Sequence, residues 1–215
     1  MSKQNSLPRF VIAISGTAGA GKTTLVKSVT DILDDAVALH FDDYKPVARY
    51  PTDMAKWVKE GKDLDAWEIP QLLDNLKALR NGKAISLPAN KGEVKPAKFI
   101  VLEEPSGRAR TGLQELIDMV VLLDLPLEIA LARKVVEYVS YCLRMVPQDE
   151  LASAMQKFVV IYEQYPVIRE YYLTIVEQAR RDCDLVLDGT RPTDELAHEI
   201  VAAVKTIISS NVGRF

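Results

Sequence analysis

The 215 residues suit one domain, and a 48% hydrophobic content is ample for a sizeable core. A formal net charge of −3 argues against a nucleic-acid binder, which would show a basic excess. No apolar run is long enough to cross a membrane, and residues 1–8 hold too little apolar sequence for a signal peptide, so a cytoplasmic protein is expected. Cys142 and Cys183 are not expected to form a structural disulfide. With His40 and His198 equally isolated, no structural zinc site is expected.

In chain order, the first element is an apolar strand near 10–15. It runs directly into Gly16-Thr17-Ala18-Gly19-Ala20-Gly21-Lys22-Thr23, followed by Thr24. This is the full G-x-x-x-x-G-K-[ST] phosphate-binding pattern. Small residues let the backbone wrap tightly with its N–H groups turned inward on a polyphosphate. Lys22 adds a mobile positive charge for the β- and γ-phosphates, and the Thr23 hydroxyl suits Mg²⁺. The helix expected over 21–33 presents the positive end of its dipole to the same anion.

A strand over 36–41 ends in Asp42-Asp43. Two acids at a strand's carboxyl end, beside a triphosphate, fit two tasks: one accepts the proton of an acceptor hydroxyl and the other serves Mg²⁺. Extended geometry would send the two side chains in opposite directions. Trp57 and Trp67 flank an acidic segment and either stack on an aromatic acceptor or anchor a loop, the second being commoner. After a helix over 69–80 and a polar stretch, a strand over 98–103 carries Glu103, a second acid placed to organise Mg²⁺. Glu104 is read as a turn cap, and Arg108 as a phosphate ligand or a solvated charge.

A short helix over 111–117, a strand over 119–124 and helices over 126–145 and 149–180 follow. Pro166 should kink or break the last of these. A strand over 184–188 and a helix over 193–209 complete the chain. The tyrosines at 138, 141, 162, 165, 171 and 172 fall at near-helical spacing and read as packing residues rather than a ligand cage. Continuously apolar strands alternating with helices imply an α/β fold with a central parallel sheet covered on both faces.

The phosphate loop, the Asp-Asp-Tyr after the second strand and DLDAWEIPQLLDNLKALRNGKAISLP (63–88) together resemble the uridine kinase family. That family has phosphoribulokinase, pantothenate kinase and nicotinamide riboside kinase relatives. The resemblance continues through FIVLEE, VVLLDLPLEIALARK, YEQYPVIREYY and DLVLDGTRPTDELAHEIV, covering most of the chain. It implies a three-layer P-loop NTPase fold, a single kinase domain over 1–215, and a helical lid near 133–150. ATP and Mg²⁺ would be the cofactors, and a hydroxyl-bearing small molecule, sugar-containing, the acceptor.

Asp42 then matches the catalytic base, although nicotinamide riboside kinases share an Asp-Asp pair and leave Asp43 open. Glu103 and Asp43 are expected to organise the metal with Thr23. Arg133 matches an arginine near the transferring phosphoryl, and Arg191 and Pro192 lie in the adenine-side loop. Two departures stand out. Val135, Val136 and Glu137 replace further lid arginines, and residues 89–98 lack the Tyr-Asp-x3-His hairpin that reads a pyrimidine, so uridine itself does not carry over. Oligomeric state, homo-oligomers included, is left open. The rival reading is a P-loop regulator that hydrolyses its nucleotide as a switch.

Overall fold

The protein is described over residues 9–211 in a computed structural model, so the polar tail at 1–8 lies outside the described residues. The apolar run after Arg9 forms β1 (Phe10–Ser15), and the glycine-rich loop leads into α1 (Lys22–Ile32) and β2 (Ala36–His40). A 3₁₀ helix (Phe41–Val47), α2 (Met54–Lys59) and α3 (Pro70–Arg80) follow. A small antiparallel pair, β3 (Ile85–Ser86) and β4 (Glu93–Val94), precedes β5 (Phe99–Glu103) and β6 (Met119–Asp124). Then come α4 (Leu127–Met145), α5 (Leu151–Glu163), α6 (Tyr165–Arg181), β7 (Leu185–Asp188) and α7 (Thr193–Asn211).

The five longer strands make one parallel sheet in the order β2-β5-β1-β6-β7. Side chains alternate across it, which explains why β1 is apolar at every inner position. Ile12 and Ile14 pack with Leu25, Val26 and Val29 of α1 and with Ala197, Ile200 and Val204 of α7. Val11 and Ala13 face the other way, onto Leu72, Leu76 and Leu79 of α3. Each fully buried leucine or isoleucine contributes about 1.5–3 kcal/mol. The result is a three-layer α/β P-loop NTPase fold whose strand carboxyl ends converge beside the glycine-rich loop.

Three expectations need correction. The second strand stops at His40, because Phe41 already opens the 3₁₀ helix. Residues 111–117 form successive turns rather than a helix: Gly112 has φ +87°, and the bonds run from Leu113 N–H to Arg110 O and from Leu116 N–H to Leu113 O. The break expected at Pro166 is present: the segment 149–180 is two helices divided at Gln164, with Pro166 in the first turn of α6, where its missing N–H costs nothing. The polar stretch after α3 holds the β3–β4 pair, too short to show a periodicity. Trp57 behaves as an anchor: it is buried against Ile175 of α6, and its indole N–H donates to Asp63 O at 2.6 Å.

No helix among the described residues is long and apolar enough to cross a membrane. Both cysteines are free.

Candidate active site

The loop after β1 is shaped by what surrounds it. Gly16 has φ +136°, and a Cβ there would lie 2.7 Å from Leu123 O. Gly19 has φ +83°, and its Cβ would lie 2.4 Å from Ala130 O, on the first turns of α4. Side chains are therefore excluded at both, and the loop stays tight enough to turn its amides inward. Gly21 caps α1 without a side-chain acceptor, and the first turn of α1 carries no acid. The orphan N–H groups and the positive end of the dipole are thus left for an anion.

Lys22 is only 7% exposed; its ammonium donates to Thr17 O at 2.9 Å and lies 4.0 Å from Glu103 Oε1. Burial holds its pKa below the usual lysine range, against the opposing pull of Glu103. The buried Thr17 hydroxyl has no protein partner. Thr23 Oγ1 sits 3.2 and 3.1 Å from the two Glu103 oxygens, and its exposed neighbour Thr24 follows on α1. His40 completes the cluster, with Nδ1 3.0 Å from Glu103 Oε2. Its hydrogen bond to that carboxylate raises its pKa. His40 and Glu103 are register partners on adjacent strands, a pairing across sixty-odd residues that sequence alone does not disclose.

The 3₁₀ helix separates the two aspartates. Asp42 lines a cavity of about 350 Å³ that also touches Ala18, Lys22 and Glu103, and its carboxylate pairs with Lys45 at 2.9 Å. Asp43 is not among the cavity residues; it pairs with Lys91, beside β4, at 2.8 Å. The far wall is aromatic. Trp67 stacks on Tyr171 at 4.1 Å and 16°, and Tyr50 packs on Trp67 at 5.1 Å. Tyr171 and Tyr172, read from sequence as packing residues, therefore also form a cavity wall.

Arg133 donates to Ala20 O at 3.3 Å and Gly189 O at 3.4 Å, tying the glycine-rich loop to the turn after β7. In that turn Arg191 is held by Glu199 at 2.8 Å and Glu195 at 3.6 Å, and Pro192 leads into α7. The Glu199 contact raises the Arg191 pKa further. Arg108 is neither a phosphate ligand nor a solvated charge: its guanidinium donates to the carbonyls of Ile117, Asp118 and Asp182 and to Asp184.

Glu104, fully buried, accepts from Ser106 N–H and Oγ and pairs with Arg110, which also donates to Trp67 O. Nothing in the sequence singles out Arg110, yet this pair supports the aromatic wall. Arg110→Met would strand a buried carboxylate and should destabilise the fold by about 3–5 kcal/mol in urea unfolding. An unchanged midpoint would show that Glu104 needs no counter-charge.

No protein-family model matches the chain. It is 22% identical to a uridine kinase of Borrelia duttonii (strain Ly), covering 94% of this chain and 97% of that one. It is 24% identical to a uridine kinase of Shewanella sp. (strain ANA-3), over 85% of this chain and 89% of the relative. A putative fructose transport system kinase from Silicibacter sp. TM1040 shares the fold, with a TM-score of 0.54 and 15% identity over 86% of this chain and 93% of that one. Fold and glycine-rich loop together define a P-loop protein of the nucleotide-binding kind. More narrowly, the sequence is uridine kinase-like along nearly its whole length.

Proposed function

We propose that the protein, a single domain over 1–215, is an ATP- and Mg²⁺-dependent kinase that phosphorylates a hydroxyl of a small metabolite. The observation that carries this reading is Asp42 sharing one aromatic-walled cavity with Lys22 and Glu103. A proton acceptor serves water and alcohols alike, and the aromatic wall beside it favours a bound organic alcohol.

The loop residues fit a nucleotide: the Thr17 hydroxyl has no partner among the described residues, the start of α1 is uncapped, and the buried Lys22 ammonium has its nearest carboxylate, Glu103, only at 4.0 Å. Gly16–Thr24 would cradle the phosphates, with Lys22 spreading charge over the transferring group. Thr23 and Glu103 fit a magnesium ion, which needs few protein ligands when phosphate oxygens supply the rest. When bound, that ion supplies charge neutralisation between the phosphates. Asp42 takes the acceptor proton, and His40 holds Glu103 in place. Arg133 fixes the loop against the Gly189 turn, beside which Arg191 and Pro192 would border the adenine. Asp43, engaged by Lys91, has a supporting place rather than a metal-binding one.

The cavity also speaks to the acceptor. Its lining cations are Lys22 and Lys45, and Lys45 is already paired with Asp42. Among the described residues lining the cavity no unpaired cation stands ready for a second phosphate or carboxylate, which favours a neutral alcohol with a flat or apolar body laid on Trp67–Tyr171. The α4–α5 hairpin acts as the lid around 133–150, excluding water when both substrates are present.

ATP turnover should rise strongly with one neutral alcohol from a metabolite panel, and not with its phosphorylated counterpart. Removing the divalent ion with EDTA should abolish it and added Mg²⁺ restore it. Turnover that no compound stimulates would replace the kinase with a nucleotide-hydrolysing switch.

A further inference from the structure

α4, α5 and α6 enclose a second cavity, of about 480 Å³, that the proposed reaction does not use. It meets the acceptor cavity only along an edge formed by Ala18, Ile168 and Tyr172. Six aromatic rings line it, two from each helix: Tyr138 and Tyr141, Phe158 and Tyr162, Tyr165 and Tyr172. Tyr138 stacks on Phe158 at 4.7 Å and 23°, Phe158 meets Tyr162 at 4.4 Å, and Tyr162 lies 6.5 Å from Tyr165 in near-parallel orientation.

Such a ladder ordinarily welds helices together. Welding would close the space and bury the rings, whereas α5 has no buried residue and the space is that of a small-molecule site. The charged groups are three, Lys134, Glu137 and Arg144, and all lie on α4. Lys134 is partly neutralised by Glu137 at 2.8 Å. Arg144 donates from Nε to Ser140 O of its own helix and has no carboxylate partner among the described residues. An aromatic chamber with an exposed guanidinium free of a carboxylate at its rim suits a ligand that is flat, greasy and negatively charged at one end.

We propose that this cavity binds a planar aromatic anion, its ring laid along the Tyr138–Phe158–Tyr162 ladder and its carboxylate or phosphate on Arg144. Burial raises the Tyr172 hydroxyl to about 12, so it stays protonated at neutral pH and adds a donor at the inner end. Because the six rings come from three helices, one ligand ties the α4–α5 hairpin to α6. The site borders the phosphate loop at Ala18 and is built partly from the hairpin proposed as the lid, but ligand binding there does not itself require phosphoryl transfer.

The test is calorimetric titration of the full chain, its P-loop filled with a non-hydrolysable ATP analogue and Mg²⁺, using 2-naphthoate and its neutral isostere 2-naphthamide. Naphthoate should bind one to one and about tenfold or more tighter than the amide, as a charge-assisted contact requires. Arg144→Gln should remove that advantage, bringing naphthoate down to the affinity of the amide. Phe158→Leu, which keeps bulk but removes the stacking face, should weaken both compounds. Circular dichroism confirms that each variant is folded. Absence of naphthoate binding, equal affinity for acid and amide, or wild-type affinity in both variants would overturn the proposal.

Discussion

Lys22→Ala should lower phosphoryl transfer by about 10²–10³, the loss typical of deleting one preorganised donor aimed at developing charge. Its ammonium is buried and its pKa is held down by that burial, so the isolated protein keeps the charge at some cost. The compensation arrives from outside: among the described residues Thr17 O is its only hydrogen-bond partner, and Glu103 stands off at 4.0 Å. Removing the side chain leaves Glu103 with Thr23 and His40, so the fold should be close to unaffected. Steady-state turnover and urea unfolding of the same preparation separate the two effects. Turnover within threefold of wild type, at an unchanged midpoint, would remove Lys22 from the mechanism.

The sheet is legible in the sequence because burial on both faces makes VIAI, FIVL and VVLL apolar at every position, and the glycine-rich loop because its spacing is dictated by phosphate geometry. Pairwise contacts between distant strands are not legible. His40 looks like an isolated histidine until β2 is laid beside β5 in register and its ring reaches Glu103. The tyrosines fail differently. Helical spacing correctly puts Tyr138 and Tyr141 on one face of α4, but Tyr162 and Tyr165 fall on different helices, and spacing carries no information about the gap that α4, α5 and α6 leave between them. Arg108 and Arg110 lie in turns with no periodicity at all. Which of them meets carbonyl oxygens and which meets a buried carboxylate is set by the return of the chain from β5 to β6.

Asp42→Asn should cost about 10²–10⁴ in turnover, the usual loss for a positioned general base, while nucleotide affinity stays near wild type. Asparagine keeps the shape of the side chain but cannot take the acceptor's proton. An extended chain would have pointed Asp42 and Asp43 to opposite faces; the 3₁₀ helix instead rotates successive residues by about a third of a turn and superposes i with i+3. Lys45 accordingly falls on the Asp42 edge and pairs with it, while Asp43 turns toward Lys91. Only Asp42 shares the cavity with Lys22 and Glu103. Asp43→Asn would remove a partly exposed ion pair, worth about 0–1 kcal/mol, and should change turnover little. Turnover at saturating Mg²⁺ and acceptor, measured for both variants alongside nucleotide binding, tells them apart. If Asp43→Asn abolishes turnover while Asp42→Asn is nearly normal, the 3₁₀ helix must rotate when substrates bind, and the base is Asp43.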